Sequence, residues 1–128
     1  MDNIHTQTTP TERHPRMITR LLLGTAGLAA FAGAAATIGW LAPAVWLTPD
    51  LSLLAGLSRD MPRDGRLAPR AVPFYNAAHS LPGPLVTIAA GAVAGPLVLG
   101  LGLTWLSHVL IDRSLGYGLR TPEGYQRG

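Results

Sequence analysis

Two long uncharged stretches constrain this chain more than any other feature. From Leu21 to Pro49 no residue carries a formal charge, and from Ala71 to Val109 only two imidazoles, His79 and His108, interrupt the apolar sequence. One helical crossing of a bilayer takes about 20 apolar residues, with ~17 tolerated. Met17–Leu57 is too long for one crossing and suits two, and the run from Ala71 to Asp112 suits two more. The fold class expected is therefore all-α, a four-helix transmembrane bundle with helices over residues 18–36, 40–57, 72–93 and 96–113. The first two separate at Ile38-Gly39-Trp40, with Pro43 as a second place to break, and the last two at Gly95-Pro96. Pro82-Gly83-Pro84 falls inside the third helix, where proline removes intrahelical hydrogen bonds, so that helix should break near Pro82–Pro84, one turn after His79.

The charged residues fill the gaps. All ten basic residues are Arg, at 13, 16 and 20, then 59, 63, 66 and 70, then 113, 120 and 127. A pI near 10.2 would fit a nucleic-acid binder, but such a protein spreads its basic residues along an exposed face. Here they cluster between apolar runs, so no nucleic acid is expected as a partner. With four crossings, all three clusters lie on one side, and the short turns near 38 and 95 carry no charge. The positive-inside rule then makes both termini cytoplasmic. Arg-only basic usage with abundant Ala, Gly and Pro resembles a high-GC bacterial coding bias, which points to a multi-pass protein of the bacterial inner membrane with the lipid bilayer as its partner. Cysteine is absent, which excludes disulfides, thiolate metal sites and thiol catalysis.

Residues 1–16 are polar, with two prolines and no apolar periodicity, and read as a disordered tail. A cleaved signal peptide is the competing reading, since Arg16 and Arg20 precede an apolar run with small residues. Against it, the tail is long and the apolar sequence continues to Leu47 without a polar region. The four-span domain covers 17–120, and 121–128 form a C-terminal tail. Ala26/Ala30/Ala34 and Ala29/Gly33/Thr37 form small-residue stripes that let helices approach closely, as in a homo-oligomer. Trp40 and Trp46 read as interfacial aromatics.

Polar residues gather where three of the expected helices reach the same side. The second brings Asp50 and Ser52, the third Tyr75, Asn76 and His79, the fourth Thr104, His108 and Asp112 at i, i+4 and i+8 on one face. Ionisable groups in membrane helices usually face the bundle interior and mark a site. Asp50, His79, His108 and Asp112 make a donor set suited to a divalent metal such as Zn, Fe, Mn or Ni. Three uses are open: a metal-binding or hydrolase-like pocket, with His108, Asp112 and Arg113 as catalytic candidates; a non-catalytic component whose His–Asp pairs lock helix packing; or an ion or proton pathway. In the second, Asp112 hydrogen-bonds His108, and Asp50 pairs with Arg113 or a loop Arg, or caps a helix starting at Leu51. Ser107 adjoins His108 but points to another face, and no GxSxG elbow is present.

Three segments carry a resemblance: LTPDLSLLAGL, YNAAHSLPGPL and LTWLSHVLIDRSLGYGLR. In this order and spacing they resemble the bacterial DUF4260 family over residues 40–122. The resemblance implies a small integral membrane protein and carries over to Asp50, Ser52, Tyr75, Asn76, His79, His108, Asp112, Arg113, Gly116, Tyr117 and Gly118. A remoter similarity is to membrane-bound metal-dependent hydrolase-like proteins. The chain departs from the family pattern in lacking an acidic residue near the start of its first helix. It also has TPEGYQRG where the pattern continues to a further His.

Overall fold

In a computed structural model that describes residues 10–57, 62 and 64–127, the chain is all-helical, with no strand among the described residues beyond one isolated bridge between Arg120 and Gln126. Helix α1 spans Pro10–Ile38, α2 Leu41–Trp46, α3 Val72–Ala78, α4 Pro82–Ala94 and α5 Pro96–Leu115. Helix α1 thus begins inside the stretch expected to be a disordered tail, and residues 1–9 lie outside the described residues.

The helices form an up-down bundle. Gly24 faces Ser114, Gly27 faces Ile111, Gly33 faces Leu103 and Ile38 faces Gly100, so α1 and α5 run antiparallel. In α1 the glycines at 24 and 27, with the fully buried Ala34, make the close-packing face. Ala26 and Ala29, which belonged to the expected stripes, stay exposed. Helices α4 and α5 form a tight hairpin, with Gly83 against Trp105, Gly102 against Ile88 and Gly91 against the backbone of Leu99. Gly95 turns that hairpin at φ 107°, a conformation a side chain strongly disfavours.

The second pass differs from the expected single helix over 40–57. Helix α2 stops at Trp46, and a 3-10 helix runs over Thr48–Gly56. Pro49 has no N–H to donate and its ring clashes with the carbonyl four residues back, so the α-helix cannot continue through it. Pro49 instead occupies the first turn of the 3-10 segment, where no donor is missed. The third pass breaks as expected, slightly earlier: α3 ends at Ala78 and α4 restarts with Pro82 at its first position. Two carbonyls freed at that break are satisfied by α5, as Trp105 Nε1 donates to Ala78 O at 2.6 Å and Arg113 donates to His79 O at 3.0 Å.

Beyond α5 the chain turns at Gly116, φ 93°, and folds back beneath the bundle. Asn76 holds this segment by a two-way grip on Arg120, donating to its carbonyl at 2.9 Å and accepting its N–H at 2.7 Å. Residues 121–127 are correspondingly ordered, with Gly124 O accepting from Leu67 N at 3.0 Å.

Small and apolar residues such as Ala34, Ala42 and Val109 share the interior with polar ones, and many large apolar side chains face outward. Polar His79, Thr104, Ser107 and His108 are buried, while Leu22, Val86, Trp40 and Val93 are 65, 69, 77 and 91% exposed. Two helical segments, Arg16–Ile38 and Pro69–Ala94, are long and apolar enough to cross a membrane.

Candidate metal centre

Three passes deliver four side chains to one point near the end of the bundle that holds Arg20 and the C-terminal segment. The 3-10 segment brings Asp50, the C-terminal end of α3 brings His79, and one turn of α5 brings His108 and Asp112. One donor atom from each lies within 4.8 Å of all the others. His79 Nε2 sits 3.3 Å from His108 Nε2, 3.3 Å from Asp50 Oδ1 and 3.6 Å from Asp112 Oδ2. His108 Nε2 sits 3.4 Å from Asp50 Oδ1 and 3.6 Å from Asp112 Oδ2. The imidazoles are 2% and 1% exposed, and the Asp50 and Asp112 side chains 41% and 20%, so the rings form the floor and the carboxylates the mouth.

Each ring is set from behind. Tyr75 O accepts from the backbone N of His79 and lies 2.9 Å from its Nδ1. A carbonyl can only accept, so Nδ1 carries a proton, and in the neutral ring Nε2 presents its lone pair to the cluster. Tyr75 also stacks on this ring, with centroids 4.0 Å apart and planes at 15°. Behind His108 lies Trp46, centroid to centroid 4.7 Å, whose Nε1 donates to Ser107 Oγ at 3.3 Å. His108 Nδ1 is buried with no hydrogen-bond partner.

Hydrogen bonding alone explains this convergence poorly. Neutral His79 has no proton left at Nε2, and the single Nε2 proton available to neutral His108 can serve one neighbour only. Were both rings protonated, two N–H groups would face each other across 3.3 Å; with one protonated, its Nε2–H reaches Asp50 or the other ring, and Asp112 at 3.6 Å still goes unbonded. At 3.6 Å from either imidazole, Asp112 is outside hydrogen-bond range, so the expected His108–Asp112 bond is not formed. Asp50 faces the two imidazoles; its expected pairing with Arg113 or a loop Arg is not found among the described residues, and it makes no helix cap.

The distances do match the edges of a coordination polyhedron. With metal–nitrogen bonds of 2.0–2.1 Å, tetrahedral ligand atoms stand roughly 3.3–3.4 Å apart. Five of the six edges here measure 3.3 to 3.6 Å. Two carboxylates also match the charge of a divalent ion, and imidazole with carboxylate is the ligand chemistry of Zn, Fe and Mn.

The other sequence candidates support this centre or lie apart from it. Ser52 donates to Pro49 O at 2.7 Å and steadies the turn that carries Asp50. Thr104 donates to Gly100 O at 2.8 Å within its own helix. It also lines an apolar cleft of about 330 Å³ that abuts the cluster through Pro49 and Ala78, the neighbours of Asp50 and His79. Asn76 grips Arg120, and half-exposed Tyr117 lies outside the four-residue cluster. Arg113 serves the backbone, bonding His79 O and Tyr117 O. Sequence reasoning missed Trp46, assigned there to an interface, because its partners Ser107 and His108 lie about 60 residues away in the chain. It also missed Trp105, three residues before His108, whose indole caps the broken third pass.

An all-helical bundle with two membrane-length apolar helices and an inward His/Asp cluster defines a class of small helical protein with a polar centre at one end. The particular family follows from a match over residues 17–128 to DUF4260, a domain of unknown function, and the chain belongs to it. No curated protein and no solved structure matches the chain.

Proposed function

We propose that this protein is a multi-pass component of the bacterial inner membrane, with both termini cytoplasmic, that binds one divalent metal ion through Asp50, His79, His108 and Asp112. The observation that carries the metal reading is the set of five inter-donor distances of 3.3 to 3.6 Å around one point. The outward-facing Leu and Val side chains support residence in lipid, where helix contacts rely on small residues and polar groups turn inward. The orientation is supported by the arginines at 16, 20, 113, 120 and 127, which gather at the cluster's end of the bundle, while the opposite turns carry none.

A divalent ion held by these four residues would supply Lewis acidity, and a water acidified toward neutral pH, the chemistry of a hydrolase, would need a fifth position on the carboxylate side. The protein's own part is to hold both Nε2 atoms in position from behind, through Tyr75 and Trp46, and to leave the carboxylate side accessible. Helix packing by His–Asp pairs is the rival reading. Metal analysis of protein purified without chelator separates the two. About one equivalent per chain, lost in His79→Ala and His108→Ala, is the expected result. Wild-type protein with no bound metal even after incubation with Zn, Fe or Mn would refute the metal reading.

A further inference from the structure

A second cavity, of about 750 Å³, opens beside the cluster between α1 and the turn after α5. Its lining includes four arginines, Arg16, Arg20, Arg113 and Arg127, and no acidic residue. Among the described residues no carboxylate lies within ion-pair distance of any of the four. Arg16 and Arg20 are one helical turn apart on the same face of α1. Arg20 lies over Gly116, where a Cβ would come within 2.9 Å of its guanidinium. Asp112 neighbours Arg113 and Glu123 lies near Arg127, so the counter-charge is partial; four like charges in one concavity still repel one another, and an anion relieves that repulsion.

The surroundings identify which anion. Met17, Ile18, Leu21 and Leu22 emerge from α1 beside the arginines and are 52 to 65% exposed. Leu23 and Leu119 contribute apolar wall to the cavity itself. A ligand with a charged end and a long apolar body satisfies both surfaces, whereas a free ion satisfies only the first. In a bilayer this end of α1 lies at headgroup level, where basic pockets between helices bind anionic lipid headgroups. Guanidinium groups pair with phosphate through two parallel hydrogen bonds. We infer that the cavity is a binding site for the phosphate of an anionic phospholipid, whose acyl chains run along the exposed apolar face of α1. This inference rests on the membrane reading above, and is independent of metal binding.

The test uses full-length protein, delipidated in neutral detergent, titrated with dihexanoyl phosphatidylglycerol, dihexanoyl phosphatidylcholine and inorganic phosphate while thermal unfolding is followed. Phosphatidylglycerol should stabilise at concentrations where the other two do not. Arg20→Gln and Arg127→Gln should each weaken that effect about tenfold, the size expected for loss of one charge-assisted contact. His108→Ala should retain it while losing metal. Equal stabilisation by inorganic phosphate would overturn the lipid assignment in favour of a free anion. Equal response to both lipids, or undiminished binding in both Arg variants, would overturn the site. A protein that leaves washed membranes in salt without detergent would instead refute the membrane reading, so the two failures are distinguishable.

Discussion

Substituting Asp50, Asp112 and His79 one at a time should weaken metal binding in an order set by their burial. Zinc sites with four protein ligands bind with about 10–16 kcal/mol, so one ligand carries ~2.5–4 kcal/mol, or roughly 10²–10³-fold in affinity. How much of that is lost depends on whether water can take the vacated position. Asp50 is 41% exposed in its side chain, so water reaches it, and Asp50→Asn should cost the least, about tenfold. Asp112, at 20%, is intermediate, and its amide variant retains an oxygen but no charge; about 100-fold is expected. His79, at 2%, is sealed beneath Tyr75, and His79→Ala should approach ~1000-fold. Competition against a chromophoric zinc chelator measures all three, with circular dichroism to check that each variant keeps its helices. Affinity should also fall on acidification in the wild type, since protons compete with the ion for imidazole and carboxylate. Equal affinities across the series, or Asp50→Asn as the worst variant, would refute the geometry on which the order is built.

Two further predictions concern the scaffold that positions the rings. Trp105→Phe removes the 2.6 Å bond to Ala78 O at the break in the third pass, and should lower unfolding stability in detergent by about 1 kcal/mol with metal stoichiometry retained. Asn76→Ala removes both bonds to Arg120, and limited proteolysis should then release the segment after Leu115 faster than in wild type, while α1 to α5 remain protected.

Much of the architecture was legible because helix length and the placement of charge are properties of composition. The two uncharged runs, their length and the arginines between them suffice to expect four helical passes with all basic clusters at one end, since no run of that length without charge makes a loop. The break after His79 was readable for the same kind of reason, a proline pair whose effect on a helix is local. The four candidate ligands were also readable, because ionisable groups in apolar runs are few: Asp50, His79, His108 and Asp112 stand out singly.

Their mutual geometry was not. His108 and Asp112 are four residues apart, which in sequence reads as a bonded pair, yet in the fold each carboxylate oxygen faces both imidazoles and Asp112 makes no hydrogen bond to either. That arrangement depends on Pro49 converting the second pass to 3-10 winding, which advances each residue further along and rotates it more than an α-helix does, and so decides where Asp50 points. It depends equally on Tyr75 O fixing the His79 ring from 2.9 Å and on the α4–α5 hairpin bringing His79 opposite His108. The arginine cavity is likewise tertiary: positions 16, 20, 113 and 127 come together only because the chain folds back at Gly116 beneath the start of α1. Composition and local stereochemistry determined how many helices form and which residues are candidates, because those effects act within a turn or two. Which donor atoms share a point is decided by packing between segments far apart in the chain, and only the tertiary structure expresses it.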